Sequence, residues 1–198
     1  IAPEDEVEEA MQNDLAVTVD SAATAGVLQR VATATGRTAR VHLKIDTGMN
    51  RLGLRAEDVP EAAVAVARMD HLKLEGAYTH FACADEDDEK PSRDQLVLLQ
   101  SALAGLRSAG LTPPLVHAAN SAALLKITTA HFDMVRSGLA LYGIRPCAGR
   151  PPVARPSARP STRDNTKTLS DLASRPTAPQ GSPRGTGGPF LPLRGVSI

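Results

Sequence analysis

Between residues 1 and 150, short apolar segments rich in β-branched residues alternate with longer segments of helical periodicity, and this pattern restricts the fold more than any other feature. The strand candidates are 15–19, 41–46, 74–80, 115–120 and 134–139. The helical candidates are 3–13, 22–34, 56–69, 93–109 and a short segment from Ser121. In 93–109, Leu96, Leu99, Leu103 and Leu106 fall at steps of three and four, which makes one apolar stripe. Ser92 is the expected N-cap of this helix and Gly110 its expected stop. Regular strand–helix alternation predicts parallel strands joined by right-handed crossovers. No strand alternates cleanly between apolar and polar residues, so both faces of the sheet are expected to be covered. Periodicity alone leaves two α/β architectures open, a barrel and an open doubly wound sheet. No G-x-G-x-x-G segment follows any strand, which argues against a dinucleotide fold.

The character of the chain changes near residue 150. Residues 151–198 hold nine of the fifteen prolines, and seven Lys or Arg against two acids, a net +5 that residues 1–150 balance. This stretch has no periodicity and cannot bury enough apolar surface to offset the entropy of ordering it. Residues 147–198 therefore read as a Pro/Arg/Ser/Gly-rich disordered tail. Two other readings stand beside that one: a binding arm for acidic partners, and a reading frame lost near Cys147. The chain as a whole is formally uncharged, which gives no prior for nucleic acid or a membrane surface. No apolar run approaches the ~20 residues of a membrane span. Acidic Glu4, Asp5, Glu6, Glu8 and Glu9 stand where a signal peptide would be basic and then apolar. The chain begins with Ile rather than Met, so it is expected to be less than a complete gene product. Cys83 and Cys147 suggest no disulfide framework, and a cytoplasmic bacterial-type enzyme fits these features.

The strand ends carry the unusual polar residues: Asp20 after the first, Lys44 to Arg51 around the second, Tyr78-Thr79-His80 at the third, His117 to Ser121 at the fourth and Arg136-Ser137-Gly138 on the fifth. In a (β/α)8 barrel, catalytic groups gather at the carboxyl ends of strands. Cations brought together there need an anion or a chemical task. Each residue also has a plain structural reading. Lys44 could snorkel to the rim, and Asp46-Thr47-Gly48 could be a turn with positive φ at Gly48. His80 and His117 could be buried, hydrogen-bonded structural histidines, and His42, His71 and His131 read as structural or surface. Asn120-Ser121 at a helix start is a cap, and a cap is also an anion site. Residues 85–89 form an acidic run that reads as a solvated loop, and it lacks the ligand spacing of known metal motifs, so no metal is expected.

Four segments together resemble alanine racemase. Lys44-Ile45-Asp46-Thr47-Gly48-Met49-Asn50-Arg51-Leu52-Gly53 is similar to that family's K-x-D-T-G-M-x-R-L-G. Tyr78-Thr79-His80-Phe81-Ala82 with Asp85-Glu86 resembles T-H-F-A-x-A-D-E. His117-Ala118-Ala119-Asn120-Ser121-Ala122-Ala123 resembles H-x-A-N-S-A-A/G, and Val135-Arg136-Ser137-Gly138-Leu139 with Tyr142-Gly143 resembles V-R-x-G-I/L-x-L/M-Y-G. They occur in the family's order across residues 1–146. The resemblance implies about the last five β/α units of a (β/α)8 TIM-type barrel, with pyridoxal 5′-phosphate as cofactor and L- and D-alanine as substrates. It implies that Arg136 meets the pyridine nitrogen, that Asn120, Ser121, Gly138 and Leu139 surround the phosphate, and that His117 supports them. Arg51 and Met49 would lie toward the substrate, Lys44, often carbamylated in the family, would orient Arg51, and His80 would contact the catalytic tyrosine. The family's full-length members are homodimers that make D-alanine for peptidoglycan.

The family's two bases, a Schiff-base lysine upstream and a tyrosine from the C-terminal domain of the partner subunit, match nothing in these 198 residues. Five strands of eight would leave two open edges and expose the apolar interior, so the chain alone is expected to be marginally stable, aggregation-prone and inactive. Two alternatives remain: a non-catalytic pyridoxal-phosphate-binding barrel or frameshifted gene product, and another amino-acid racemase or decarboxylase of the same fold. Relatives of the last kind vary at the arginine facing the pyridine nitrogen, so Arg136 favours alanine racemase.

Overall fold

The computed structural model describes residues 4–147. Of the expected tail only Cys147 is described, and it is buried; the remainder lies outside the described residues. The chain opens with helix α1 (Glu4–Gln12), strand β1 (Ala16–Val19) and helix α2 (Ala22–Thr35). Strand β2 (Ala39–Asp46), a two-residue strand β3 (Leu54–Arg55) and helix α3 (Val59–Ala67) follow. Then come β4 (Leu72–Tyr78), α4 (Lys90–Ser108), β5 (Leu115–His117), α5 (Ser121–Lys126) and the single turn α6 (Gly138–Leu141).

The sheet runs β1-β2-β4-β5, every pairing parallel, with β3 attached to β2. Parallel neighbours require crossovers, and the helices provide them. The result is an α/β fold, a partial (β/α)8 barrel. Along β2, Val41, Leu43 and Ile45 point to the helix layer and are fully buried among Leu28, Leu99 and Leu106. His42 and Lys44 point to the other, concave face, where they are also buried. β2 thus alternates cleanly between apolar and polar residues, against the expectation that no strand does, and yet both of its faces are buried, because the polar side chains line the concave face. Truncating a fully buried Leu99 or Leu106 to Ala costs about 2–5 kcal/mol at such sites.

Two further expectations need correction. Ser92 is not an N-cap: α4 starts at Lys90, with Pro91 in the first turn, where a missing N–H costs nothing. Asp88 Oδ1 accepts the Lys90 N–H at 2.9 Å, while Ser92 is buried inside the helix. Gly110, at φ +77°, does follow the helix end. The segment 134–139 is not a strand. A single parallel bridge joins His117 to Met134, and the chain then turns into α6. The cause is local, because the Asp133 carboxylate accepts the Val116 N–H at 2.8 Å and so occupies a ladder donor of β5. β5 itself ends at His117 because the carbonyls of Ala118 and Ala119 are taken by the side chain and the N–H of Arg136.

At this open side Leu139, Leu141, Tyr142 and Ile144 are exposed. The acidic run behaves as a solvated loop, with residues 85–88 exposed. Among the described residues no helix is long and apolar enough to cross a membrane.

Candidate functional site

The concave face and the strand tips enclose one open cleft of about 880 Å³. Its walls include Lys44, Met49, Arg51, His80, His117, Asn120, Ser121, Arg136, Gly138 and Leu139, so every residue singled out from the sequence reaches the same cavity. Parallel strands cause this convergence, because all their carboxyl ends lie on one rim.

After β2 the backbone must reverse at once. Asp46 Oδ1 accepts the N–H groups of Gly48 (3.0 Å) and Asn50 (3.1 Å), and Gly48 adopts φ +137°, which a side chain would resist. Thr47 Oγ1 lies 2.7 Å from Thr79 Oγ1, and the buried Gln95 of α4 donates to Thr47 Oγ1 at 3.1 Å and to the His80 carbonyl at 3.2 Å. Gln95 also accepts from the Ala82 N–H at 3.0 Å. One helix side chain thus fixes the loops that follow two strands.

Arg136 lines the cleft and is the most heavily bonded side chain described there. Its Nη2 donates to the carbonyls of Thr79 (2.9 Å) and Ala118 (3.0 Å), and its Nη1 donates to His117 Nδ1 at 2.6 Å. His117 Nε2 lies 2.9 Å from His42 Nδ1. Tyr78 stacks on the His117 ring at 4.6 Å, and its hydroxyl meets Thr18 Oγ1 at 2.9 Å. The Lys44 ammonium and the Arg136 guanidinium lie 5.5 and 5.4 Å from the Tyr78 ring centre, within the range of cation–π attraction.

Also on the cleft wall, Asn120 caps α5 by accepting the Ala123 N–H at 3.0 Å. Ser121 Oγ donates to the Ser137 carbonyl and accepts the Ala140 N–H at 3.1 Å, which ties α5 to α6. A Cβ on Gly138 would stand 3.4 Å from Ser121 Oγ, so the glycine leaves open a small space lined by a hydroxyl and by backbone.

The cleft is lined by the cations Lys44, Arg51 and Arg136 and by the acids Asp20 and Asp85. Burial, then Arg136 and Arg51, lower the Lys44 ammonium to about 8, with Asp46 opposing. Burial raises the Asp46 carboxyl, but hydrogen bonds from Gly48 and Asn50 and the charge of Lys44 more than offset it, leaving Asp46 below the usual range. Burial and then Arg136 push His117 down to about 3, and the same two causes, followed by Lys44 and Arg51, lower His80. Burial also lowers His42. The histidines are therefore neutral near pH 7, and the positive charge resides on Lys44, Arg51 and Arg136.

Sequence reading misses four residues here. His42 belongs to the cleft, unlike His71 and His131, which bond the carbonyls of Arg37 and Leu124. Its signal is position, since His42, Lys44 and Asp46 lie two apart on a strand and share a face. Tyr78, Thr47 and Gln95 are the others, and Gln95 is visible as a polar residue within the buried stripe of α4.

Fold and cleft together define a protein of the (β/α)8-barrel class, with its polar groups gathered where such barrels do their chemistry. The family model described as alanine racemase, N-terminal domain, matches residues 1–146, and the chain belongs to that family. An alanine racemase of Symbiobacterium thermophilum is 50% identical over 114 residues, which are 58% of this chain and 30% of the relative. One of Desulfosudis oleivorans is 42% identical over 149 residues, 71% of this chain and 38% of the relative. Among solved structures, an alanine racemase of Clostridium difficile in complex with cycloserine superposes with a TM-score of 0.72 at 32% identity, covering 75% of this chain and 41% of that one. The chain thus spans about a third of the length of the curated relatives it matches.

Proposed function

We propose that residues 1–146 are the cofactor-holding part of an alanine racemase that uses pyridoxal 5′-phosphate to interconvert L- and D-alanine. The observation that carries this reading is the fixed guanidinium of Arg136, held on Thr79, Ala118 and His117 in a cleft that Ser121 and Gly138 also line. The donor set fits the cofactor. A guanidinium has no acceptor and keeps its protons, so Arg136 offers N–H to a pyridine nitrogen and leaves that nitrogen unprotonated. The Ser121 hydroxyl, the Asn120 cap and the first-turn N–H groups of Gly138 and Leu139 offer hydrogen bonds to a phosphate, in a space that a Cβ at 138 would narrow.

When bound, pyridoxal phosphate supplies a conjugated ring that takes up electron density from the α-carbon as its proton leaves. Arg51 and Met49 lie on the wall where the substrate carboxylate would sit, and Arg51 supplies the opposite charge. Lys44 lines the same cleft; as a carbamate it would turn from a cation into an anion and orient Arg51. His80 supports the same wall, and His117 holds Arg136.

The two bases of the racemisation have no counterpart motif in these 198 residues. The full-length protein would supply them as a cytoplasmic homodimer making D-alanine for peptidoglycan. The domain boundary at 146 belongs to this reading. The test is a titration of the purified chain with pyridoxal phosphate, followed by absorbance. Saturable binding that Arg136→Gln weakens at least tenfold supports it; equal binding by both chains refutes it. Borohydride should fix no cofactor to this chain, and racemisation of alanine should stay at background. Restoring the upstream and downstream segments and comparing alanine with other amino acids separates alanine racemase from a broader racemase or a decarboxylase.

A further inference from the structure

The proton arrangement of the His42–His117–Arg136 chain is forced. Arg136 can only donate, so His117 Nδ1, 2.6 Å away, must present its lone pair. The single proton of the neutral ring then sits on Nε2, which lies 2.9 Å from His42 Nδ1. His42 Nδ1 must in turn be the acceptor, since a proton there would place two hydrogens in one gap. The His117 ring cannot escape by turning over, because Tyr78 stacks on it with 10° between the planes and it is 1% exposed. In the other tautomer an N–H of His117 would face the N–H of Arg136.

The fold makes room for this arrangement. β2 and β4 slip register between Val41 and His42, so Val41 pairs with Leu74 but His42 pairs with Gly76. A Cβ at position 76 would lie 2.5 Å from His42 Nδ1. Gly76 is not among the glycines with positive φ, so its missing side chain answers to space and not to backbone conformation.

We infer that His42 is a positioning residue: by accepting the Nε2 proton that Arg136 imposes on His117, it pairs an otherwise orphaned buried N–H and holds the His117 ring where it fixes Arg136 against the cofactor ring. The inference rests on the functional reading above for the role of Arg136, but not for the relay itself.

The experiment uses the full 198-residue chain with ¹⁵N-labelled histidine and long-range ¹H–¹⁵N correlation near pH 7, without added ligand. Both His117 and His42 should carry the proton on Nε2. His42→Phe keeps the ring volume and removes the acceptor, and the His117 Nε2–H should then lose its hydrogen bond, seen as an upfield shift of that proton and faster exchange with water. His42→Asn places an oxygen near the position of Nδ1 and should restore it, whereas His42→Gln reaches too far and should not. Titration with pyridoxal phosphate should show affinity lost about tenfold in His42→Phe and about threefold or less in His42→Asn. A wild-type His117 protonated on Nδ1, or a His117 Nε2–H whose shift and exchange are unchanged in His42→Phe, overturns the inference. If His42→Phe does not fold, the wild-type spectrum and the Asn–Gln contrast decide it. A wild-type chain with the expected tautomers that fails to bind pyridoxal phosphate defeats the functional reading while the relay stands.

Discussion

Arg136 donates to the carbonyl of Thr79 and to that of Ala118, so a single guanidinium ties the tip of β4 to the tip of β5. Arg136→Lys keeps the charge but cannot span both carbonyls and His117, because an ammonium is a point donor and the guanidinium is a planar fork. At least one buried acceptor loses its partner. The expected result is a loss of about 1–3 kcal/mol in urea-unfolding free energy, together with pyridoxal-phosphate binding weakened at least tenfold. A variant that retains wild-type affinity would show that charge alone matters at this position.

The histidines of the cleft make stability depend on acid. His117 is held down at about 3 by burial and by Arg136, against about 6.5 in the unfolded chain, and His42 and His80 are lowered in the same direction. The unfolded chain takes up protons first, so this contribution is full above pH 6.5 and is lost as pH falls from 6.5 toward 3. Urea midpoints should be flat above about pH 7 and should drop steadily below pH 6.5, by a few kcal/mol in total. His117→Asn should lower the plateau and flatten the slope. An equal slope in that variant would assign the acid sensitivity to other groups.

Lys44 is lowered to about 8, so near pH 7 roughly one chain in ten carries the free amine. The amine attacks carbon dioxide to form a carbamate and releases one proton, whereas an ammonium has no lone pair to do so. With ¹³C-bicarbonate the chain should therefore show one carbamate resonance that Lys44→Met abolishes. The same depression has a stability consequence. The unfolded chain holds this proton up to about 10.5, so the contribution is present above 10.5 and lost as pH falls through 8. Lys44→Met, which removes a buried cation beside Arg51 and Arg136, should raise the melting temperature at pH 7 without added bicarbonate.

The parallel repeat is legible in the sequence because short segments of β-branched and apolar residues alternate with segments of helical length and periodicity, and the motifs at their tips are local. What the sequence hides is set by contacts across it. The strand expected at 134–139 fails because the Asp133 side chain takes the Val116 N–H, a competition between a side chain and a ladder that periodicity does not register. Ser92 looks like a cap until Pro91 proves to sit inside the first turn of α4. Lys44 announces itself as a charge in an apolar strand, but His42 beside it does not, because its partner His117 is 75 residues away and its room comes from a glycine on another strand. Gln95 is similar, since its meaning lies in Thr47 and His80 and not in α4.

That dependence of His42 on Gly76 can be measured. A methyl group at position 76 would meet the His42 ring at 2.5 to 2.8 Å, well inside contact distance, and the ring is 4% exposed with little space to retreat. Gly76→Ala should cost about 1–3 kcal/mol, as overpacking of a filled interior does. The backbone at Gly76 suits an L-residue, so the cost should come from the ring alone. A double-mutant cycle isolates it: in a His42→Ala background the methyl group has space, and Gly76→Ala should cost less than about 0.5 kcal/mol. An equal cost in both backgrounds would place the demand for glycine in the register slip of β4, and would separate Gly76 from His42.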